Sequence, residues 1–186
     1  MGSIVLITGG VRSGKSALAE KLATRNSYVL YVATAEAEDA EMAERISLHQ
    51  ARRPVSWGTV VAPRDLITVA RMNPDACLLI DCLGLWVTNC LLAAEAKNLA
   101  APEGFIQEMR ERTEALLDVL AARQGEAILV TNEVGLGLVP PYKMGRVFRD
   151  CLGYVNAAVA ERARDVILCA VGIPITLKKE GVLRLG

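Results

Sequence analysis

Ser3-Ile-Val-Leu-Ile-Thr-Gly-Gly-Val-Arg-Ser-Gly-Lys-Ser16 is the stretch on which the fold turns. Ile4 to Ile7 is a short apolar run of the kind that forms a buried parallel strand. It breaks at Gly9-Gly10, and Gly14-Lys15-Ser16 opens a segment with helical patterning through Ala17, Leu18 and Leu22. Gly9, Gly10, Val11, Arg12, Ser13, Gly14, Lys15 and Ser16 together fit G-x-x-x-x-G-K-[ST], the phosphate-binding loop. Glycines let the backbone curl so that several N–H groups converge on one anion, and the positive end of the following helix adds to the attraction. Lys15 is placed to reach the terminal phosphates of a nucleoside triphosphate, and the Ser16 hydroxyl to ligate Mg²⁺. The alternative is a glycine-rich strand-to-helix turn that ends in Lys-Ser by chance. Full pattern, strand before and helix after speak for nucleotide binding.

Outward from this loop, 186 residues suit one domain, residues 1–186, with a sizeable core. Hydrophobic residues make up 52% and aromatics only 4%, so the core is built from Ala, Val, Leu and Ile. Lys+Arg and Asp+Glu are both 21, which leaves no basic surplus for a nucleic-acid partner. The five cysteines (Cys77, Cys82, Cys90, Cys151 and Cys169) are odd in number and contain no C-x-x-C pair. They read as reduced, buried residues of a cytoplasmic protein. No secretion signal is visible, and the uncharged run Cys82 to Ala94 is short of the roughly 20 residues a membrane span needs. The expectation is a soluble, cytoplasmic protein without membrane insertion.

Tyr28 to Ala33 reads as a second strand, and Thr34, Ala35 and Glu36 follow at its carboxyl end. Ligands of open α/β sheets sit beyond the carboxyl ends of strands, so these three either line the nucleotide or form an ordinary polar strand exit. Met42, Arg45, Ile46 and His49 then fall on one face of a helix that Arg52-Arg53-Pro54 ends. His49 is the only histidine. It is either a packed, hydrogen-bonded core residue or the one imidazole available for chemistry. Arg45, Arg52 and Arg53 would suit a polyphosphate, or simply form a solvated basic helix end.

Further along, Trp57 to Ala62 reads as a short strand and Asp65 to Met72 as a short helix. Cys77 to Asp81 is an apolar strand ending in a carboxylate, the acid that a phosphate loop needs to hold Mg²⁺ or its water. Helices are expected over Gly84 to Ala96, Glu103 to Gln124 and Gly145 to Arg164. The second carries the stripe Ile106, Met109, Thr113, Leu116, Leu117 and Leu120, and the third the stripe Phe148, Leu152, Val155 and Val159. Strands are expected at Ala127 to Thr131 and Asp165 to Val171. Ile173 to Lys178 and Val182 to Leu185, turned at Glu180-Gly181, suggest a closing edge hairpin. The apolar loop Val134 to Tyr142 either covers a ligand, meets another subunit, or folds over its own core. Strands alternating with helices at this spacing mean an α/β fold: a P-loop domain with a mostly parallel sheet flanked by helices.

Two classes of P-loop protein compete. Asp81-Cys-Leu-Gly84 satisfies the D-x-x-G of a regulatory GTP-binding module, but no Asn-Lys-x-Asp guanine-reading segment exists. A small-molecule transferase fits better the single domain, the arginines after the second strand and the apolar loop at 134–142.

Four stretches carry a resemblance that favours the transferase: Thr8 to Ser16; Tyr31-Val-Ala-Thr-Ala35 running on to Glu41-Met-Ala-Glu-Arg-Ile46, His49, Arg53-Pro54 and Trp57; Asp81-Cys-Leu with Trp86-Val-Thr-Asn89; and Thr131-Asn-Glu-Val-Gly-Leu-Gly-Leu-Val-Pro140 with Arg149-Asp150, Gly153 and Asn156. Together they resemble the bifunctional adenosylcobinamide kinase / adenosylcobinamide-phosphate guanylyltransferase family of cobalamin biosynthesis. The resemblance implies phosphoryl transfer from ATP or GTP to the hydroxyl of a corrinoid's aminopropanol arm. It further implies transfer of GMP from GTP to that phosphate through a guanylylated His49. It places nucleotide contacts at Thr34, Ala35, Glu36, Gln50, Ala51, Arg52, Arg53 and Asp81, and implies a homotrimer. The chain departs from the family pattern at Val61, where a Glu is expected, at Ala157 (Gln) and at Gly84 (often Thr).

Overall fold

The computed structural model describes residues 2–35, 53–96 and 102–184. Its centre is an eight-stranded sheet of β1 (Ile4–Gly9), β2 (Val29–Ala33), β3 (Gly58–Val61), β4 (Cys77–Asp81), β5 (Ala127–Val130), β6 (Asp165–Ala170), β7 (Ile173–Lys179) and β8 (Val182–Leu183). The spatial order is β3-β2-β4-β5-β1-β6-β7-β8. The first six in that order run parallel, and β7 and β8 add antiparallel at one edge. The expected α/β sheet and C-terminal edge hairpin are both present.

The inner strands are apolar on both faces because helices cover them. Among the described residues five helices lie between the strands: α1 (Lys15–Ala23), α2 (Leu66–Met72), α3 (Leu83–Ala96), α4 (Pro102–Ala122) and α5 (Lys143–Arg162). Asp65 caps α2 by accepting from Thr68 N at 3.0 Å. One face of the sheet (Leu6, Val32, Leu78, Ile80, Leu129) packs under α2 to α5. The other (Val5, Ile7, Tyr31, Leu79, Ile128, Val130) meets Ala19 and Ala23 of α1. Small residues on α1 let the loop-bearing helix lie close on β4 and β5.

Two helical stripes differ from expectation by a residue. In α4, Phe105 rather than Ile106 is fully buried, and Ile106 packs at the margin. The larger aromatic ring gains more by leaving water, so it sets the rotation of that first turn. In α5, Val147 and Cys151 join Leu152, Val155 and Val159 in the core while Phe148 packs at its edge. All five cysteines are free; Cys82 is half-buried and the other four are buried.

Candidate active site

Register brings the functional chain segments into one row. Ala33 pairs with Asp81, Asp81 with Val130, and Val130 with Ile7. Thr34, Cys82, Thr131 and Thr8 therefore emerge side by side at the carboxyl edge, the edge where α/β sheets bind ligands. The loop from Gly9 to Gly14 rises there between β1 and α1. Gly14 has φ 94° and Arg12 φ 54°, the left-handed turns that curl the loop over the helix N-terminus.

Lys15 is buried, and its ammonium donates to Gly10 O at 2.6 Å. Burial lowers its pKa from the ordinary lysine value, and the neighbouring Cys82 and Asp81 pull it back up. The Ser13 hydroxyl is buried with no hydrogen-bond partner among the described residues, while Ser13 O accepts from Gly172 N at 3.1 Å. A cavity of 400 Å³ lies over this loop, lined by Arg12, Ser13, Gly14, Lys15, Ser16 and Glu20. Larger cavities lie elsewhere: 820 Å³ at the opposite sheet edge, around Asn26, Tyr28 and Glu126, and 910 Å³ between α4 and α5. Neither contains the phosphate loop, so size does not locate the chemistry.

The end of β2 is locked to the end of β4. Thr34 is wholly buried. Its hydroxyl donates to Cys82 O at 2.8 Å and accepts from Cys82 N at 2.7 Å. Thr34 N donates to Asp81 O, and Thr34 O accepts from Asn89 Nδ2 at 2.8 Å. Asn89 also donates to Pro63 O at 3.1 Å, tying α3 to the segment after β3. The Thr34 side chain is thus spent on the scaffold. Ala35 stands half-buried beside it at the same edge.

Asp81 accepts from the Tyr31 hydroxyl at 3.1 Å through Oδ2. Burial and the adjacent Asp81 carboxylate push the phenol's pKa well up, so it stays a proton donor. Arg53 lies across the Tyr31 ring, its Cζ 3.2 Å from the centroid, with Nε 4.0 Å from Glu20 Oε1. The Arg53 side chain is 6% exposed, yet among the described residues Nε and Nη1 have no hydrogen-bond partner. Tyr31, Glu20 and Asn89 were not singled out for this site from the sequence. Their partners are long-range, and only the pairing of β2 with β4 brings Tyr31 and Asp81 together.

His49, Glu36, Gln50, Ala51 and Arg52, with the helical stripe Met42, Arg45 and Ile46, lie outside the described residues. Val61, at the end of β3, exposes an apolar side chain at that edge. Gly84 is buried in α3, and an added Cβ would meet only ordinary contacts at 3.7 Å from Asn132 Nδ2 and Cys82 Sγ. Ala157 lines the groove between α4 and α5. The loop after β5 begins against the phosphate loop, with Glu133 N donating to Gly9 O at 3.1 Å. Farther out, Leu136 is 91% and Leu138 97% exposed, so this loop does not fold over its own core.

Phosphate loop, helix and carboxylate-tipped strand define a P-loop nucleotide-binding protein. Two solved structures share the fold. One is a prototypical ATPase from the type III secretion system of pathogenic bacteria, with a TM-score of 0.59 and 12% identity, covering 95% of this chain. The other is the assembled ATPase EscN of the enteropathogenic E. coli type III secretion system, with a TM-score of 0.58 and 13% identity, covering 98% of this chain. This chain spans 57% and 48% of those two chains, and at such identity the likeness concerns the fold.

The sequence narrows the class. Residues 5–177 match the family described as cobinamide kinase / cobinamide phosphate guanyltransferase, and the chain belongs to that family. It is similar to the bifunctional adenosylcobalamin biosynthesis protein CobP of Pseudomonas aeruginosa, with 45% identity over 94% of this chain and 97% of that protein. It is also similar to the bifunctional adenosylcobalamin biosynthesis protein CobU of Salmonella typhimurium, with 40% identity over 94% of this chain and 99% of that protein. The transferase expectation therefore stands, and nothing supports the regulatory GTP-binding module.

Proposed function

We propose that this enzyme carries out two reactions in sequence on one corrinoid. In the first, the hydroxyl oxygen of adenosylcobinamide bonds to the γ-phosphorus of ATP or GTP, the β–γ bridge breaks, and the hydroxyl proton leaves. In the second, a ring nitrogen of His49 bonds to the α-phosphorus of GTP and pyrophosphate departs. A phosphate oxygen of adenosylcobinamide phosphate then takes the GMP from His49, giving adenosylcobinamide-GDP. The observation that carries the reading is the buried Lys15 of the loop Gly9–Ser16, its ammonium turned into the loop at Gly10 O, in a chain of the kinase/guanyltransferase family.

In this reading the backbone of Gly9, Gly10, Val11, Arg12, Ser13 and Gly14 holds the phosphates, and the Ser13 hydroxyl gains the partner it lacks. Lys15 exchanges the Gly10 carbonyl for phosphate oxygens. Ala35 and Glu36, with Gln50, Ala51, Arg52 and Arg53, hold the rest of the nucleotide, as the resemblance implies. Arg53, buried and with two N–H-bearing nitrogens unpartnered among the described residues, suits an anion. Ser16 and Asp81 would hold Mg²⁺. Among the described residues no three His, Cys, Asp or Glu side chains cluster, so these two would act with the nucleotide's own oxygens, a hard-oxygen set that fits this ion. When bound, the ion neutralises charge developing on the phosphates.

The described residues all join or cover one sheet, which supports reading residues 1–186 as one domain. Among them, no helix is long and apolar enough to cross a membrane. The free cysteines support a cytoplasmic location. Exposed Leu136, Leu138 and Val139 support a contact of this loop with a neighbouring subunit, and the resemblance implies that the assembly is a homotrimer.

The test is the adduct. With α-labelled GTP and Mg²⁺, the wild-type protein should take up GMP in an acid-labile, alkali-stable bond and pass it to the phosphorylated corrinoid. His49→Ala should lose label and guanylyl transfer while retaining phosphoryl transfer, which needs no imidazole. Label persisting on His49→Ala, or never forming on wild type, overturns the reading.

A further inference from the structure

We propose that Tyr31 is a positioning residue that couples the metal-facing carboxylate of Asp81 to the guanidinium of Arg53; the inference rests on the two-reaction reading above. Tyr31 and Leu79 are partners in the β2–β4 ladder, so Tyr31 and Asp81 project onto the same sheet face, the face that α1 covers. Tyr31 is 4% exposed. Its phenol reaches one pleat along and gives its only proton to Asp81 Oδ2, leaving Oδ1 without a donor among the described residues. The carboxylate is thereby held at one rotation, with one oxygen spoken for and the other presented at the strand end.

The same ring has a second function. Arg53 sits over it, Cζ 3.2 Å from the centroid, so the ring backs the guanidinium. A buried guanidinium with Nε and Nη1 unpartnered among the described residues, and Glu20 no closer than 4.0 Å, is costly. Such a group is held ready for an anion. Arg53 follows His49 by four residues in the sequence, so the ring contacts a near sequence neighbour of the proposed nucleophile. One aromatic residue thus touches the machinery of both reactions, and no phenylalanine could supply the hydroxyl.

Two substitutions separate the hydroxyl from the ring. Tyr31→Phe keeps the stacking and removes the hydrogen bond. In protein saturated with a non-hydrolysable GTP analogue, titrated Mn²⁺ followed by paramagnetic resonance should bind about tenfold more weakly, the scale of one hydrogen bond to a charged group. Calorimetric affinity for the same analogue in EDTA should stay at the wild-type value, because the ring under Arg53 is kept. Tyr31→Leu should add a drop of about tenfold in metal-free affinity and slower labelling, because Arg53 loses its platform. Wild-type or tighter Mn²⁺ affinity in Tyr31→Phe overturns the inference. So does a parallel fall of Mn²⁺ affinity, metal-free affinity and melting temperature, the pattern of a residue that merely packs. If Tyr31→Leu does not fold, Tyr31→Phe decides alone. A wild-type protein that takes no GMP label removes the two-reaction reading instead, which keeps the two failures apart.

Discussion

Gly9→Ala and Gly10→Ala change neighbouring glycines of one loop and should behave oppositely. At Gly9, φ is 150°, and an added Cβ would sit 2.2 Å from Cys169 O and 2.8 Å from Ser13 Oγ. The Ser13 hydroxyl can swing away. The Cys169 carbonyl cannot, because Gly9 and Cys169 are paired in the β1–β6 ladder and the backbone is fixed there. Relief requires β1 and β6 to separate at the strand end that launches the phosphate loop. Overpacking costs about 1–3 kcal/mol, and an unfavourable φ about 1–3 kcal/mol more, so about 3 kcal/mol is expected. At roughly 2–4 °C per kcal/mol for a chain of this size, melting should fall by about 6–12 °C. At Gly10 an added Cβ meets nothing within 4 Å and φ is not positive, so Gly10→Ala should melt within a degree or two of wild type. Scanning calorimetry reads both, and isothermal titration with GTP should show weakened binding for Gly9→Ala. Equal melting temperatures for the two variants would refute the steric argument, as would full nucleotide affinity in Gly9→Ala.

Lys15→Met should abolish nucleotide binding in calorimetric titration without lowering the melting temperature at neutral pH. Burial depresses the folded-state pKa of Lys15 below its unfolded value. The cost is therefore fully present below the folded pKa and fades as pH rises toward 10.5, and any stability advantage of Met should shrink over that range. Asp81→Asn should keep the Tyr31 contact but raise the Mg²⁺ concentration needed for half-maximal phosphoryl transfer by at least tenfold; an unchanged requirement removes Asp81 from metal binding. Thr34→Val, isosteric but unable to bond Cys82, should lose about 1–3 kcal/mol in urea unfolding, since it strands the Cys82 N–H. A loss under about 0.5 kcal/mol would show that the β2–β4 lock is dispensable.

The sheet was legible because its inner strands are buried on both faces. Ile4 to Ile7, Cys77 to Ile80, Ala127 to Val130 and Val166 to Val171 are uninterrupted apolar runs, too short for helices and each ended within two residues by a polar residue or glycine. Strand order was not legible: nothing in the local pattern says that β1 lies between β5 and β6. The phosphate loop is a local backbone feature and was read residue by residue. Tyr31 and Asn89 are different. Tyr31 reads as a core aromatic in a strand, and Asn89 as one polar residue in an apolar helix. Their partners Asp81 and Thr34 are 50 and 55 residues away in sequence. Helix α3 begins at Leu83, inside the Asp81-Cys-Leu-Gly84 segment that had invited comparison with a γ-phosphate loop. A glycine in a helix does not make that turn.

Thr34, Tyr31 and Asn89 share a physical logic. A P-loop acts by holding charges where charge develops, so its strand ends must not drift relative to one another. The ladder ends at Ala33 and Asp81, and past the one backbone bond from Thr34 N to Asp81 O the bracing between β2 and β4 falls to side chains. Thr34 closes the gap to β4 with its one hydroxyl, acting as donor and acceptor at once, and Asn89 ties both to α3. Tyr31 extends the brace to the Asp81 carboxylate itself. Each is a neutral group and adds no charge to a site that must hold a polyphosphate. A second fixed cation in place of Tyr31 would pair with Asp81 and compete with the metal for it. A hydroxyl orients the carboxylate without neutralising it, which leaves that negative charge to the ion.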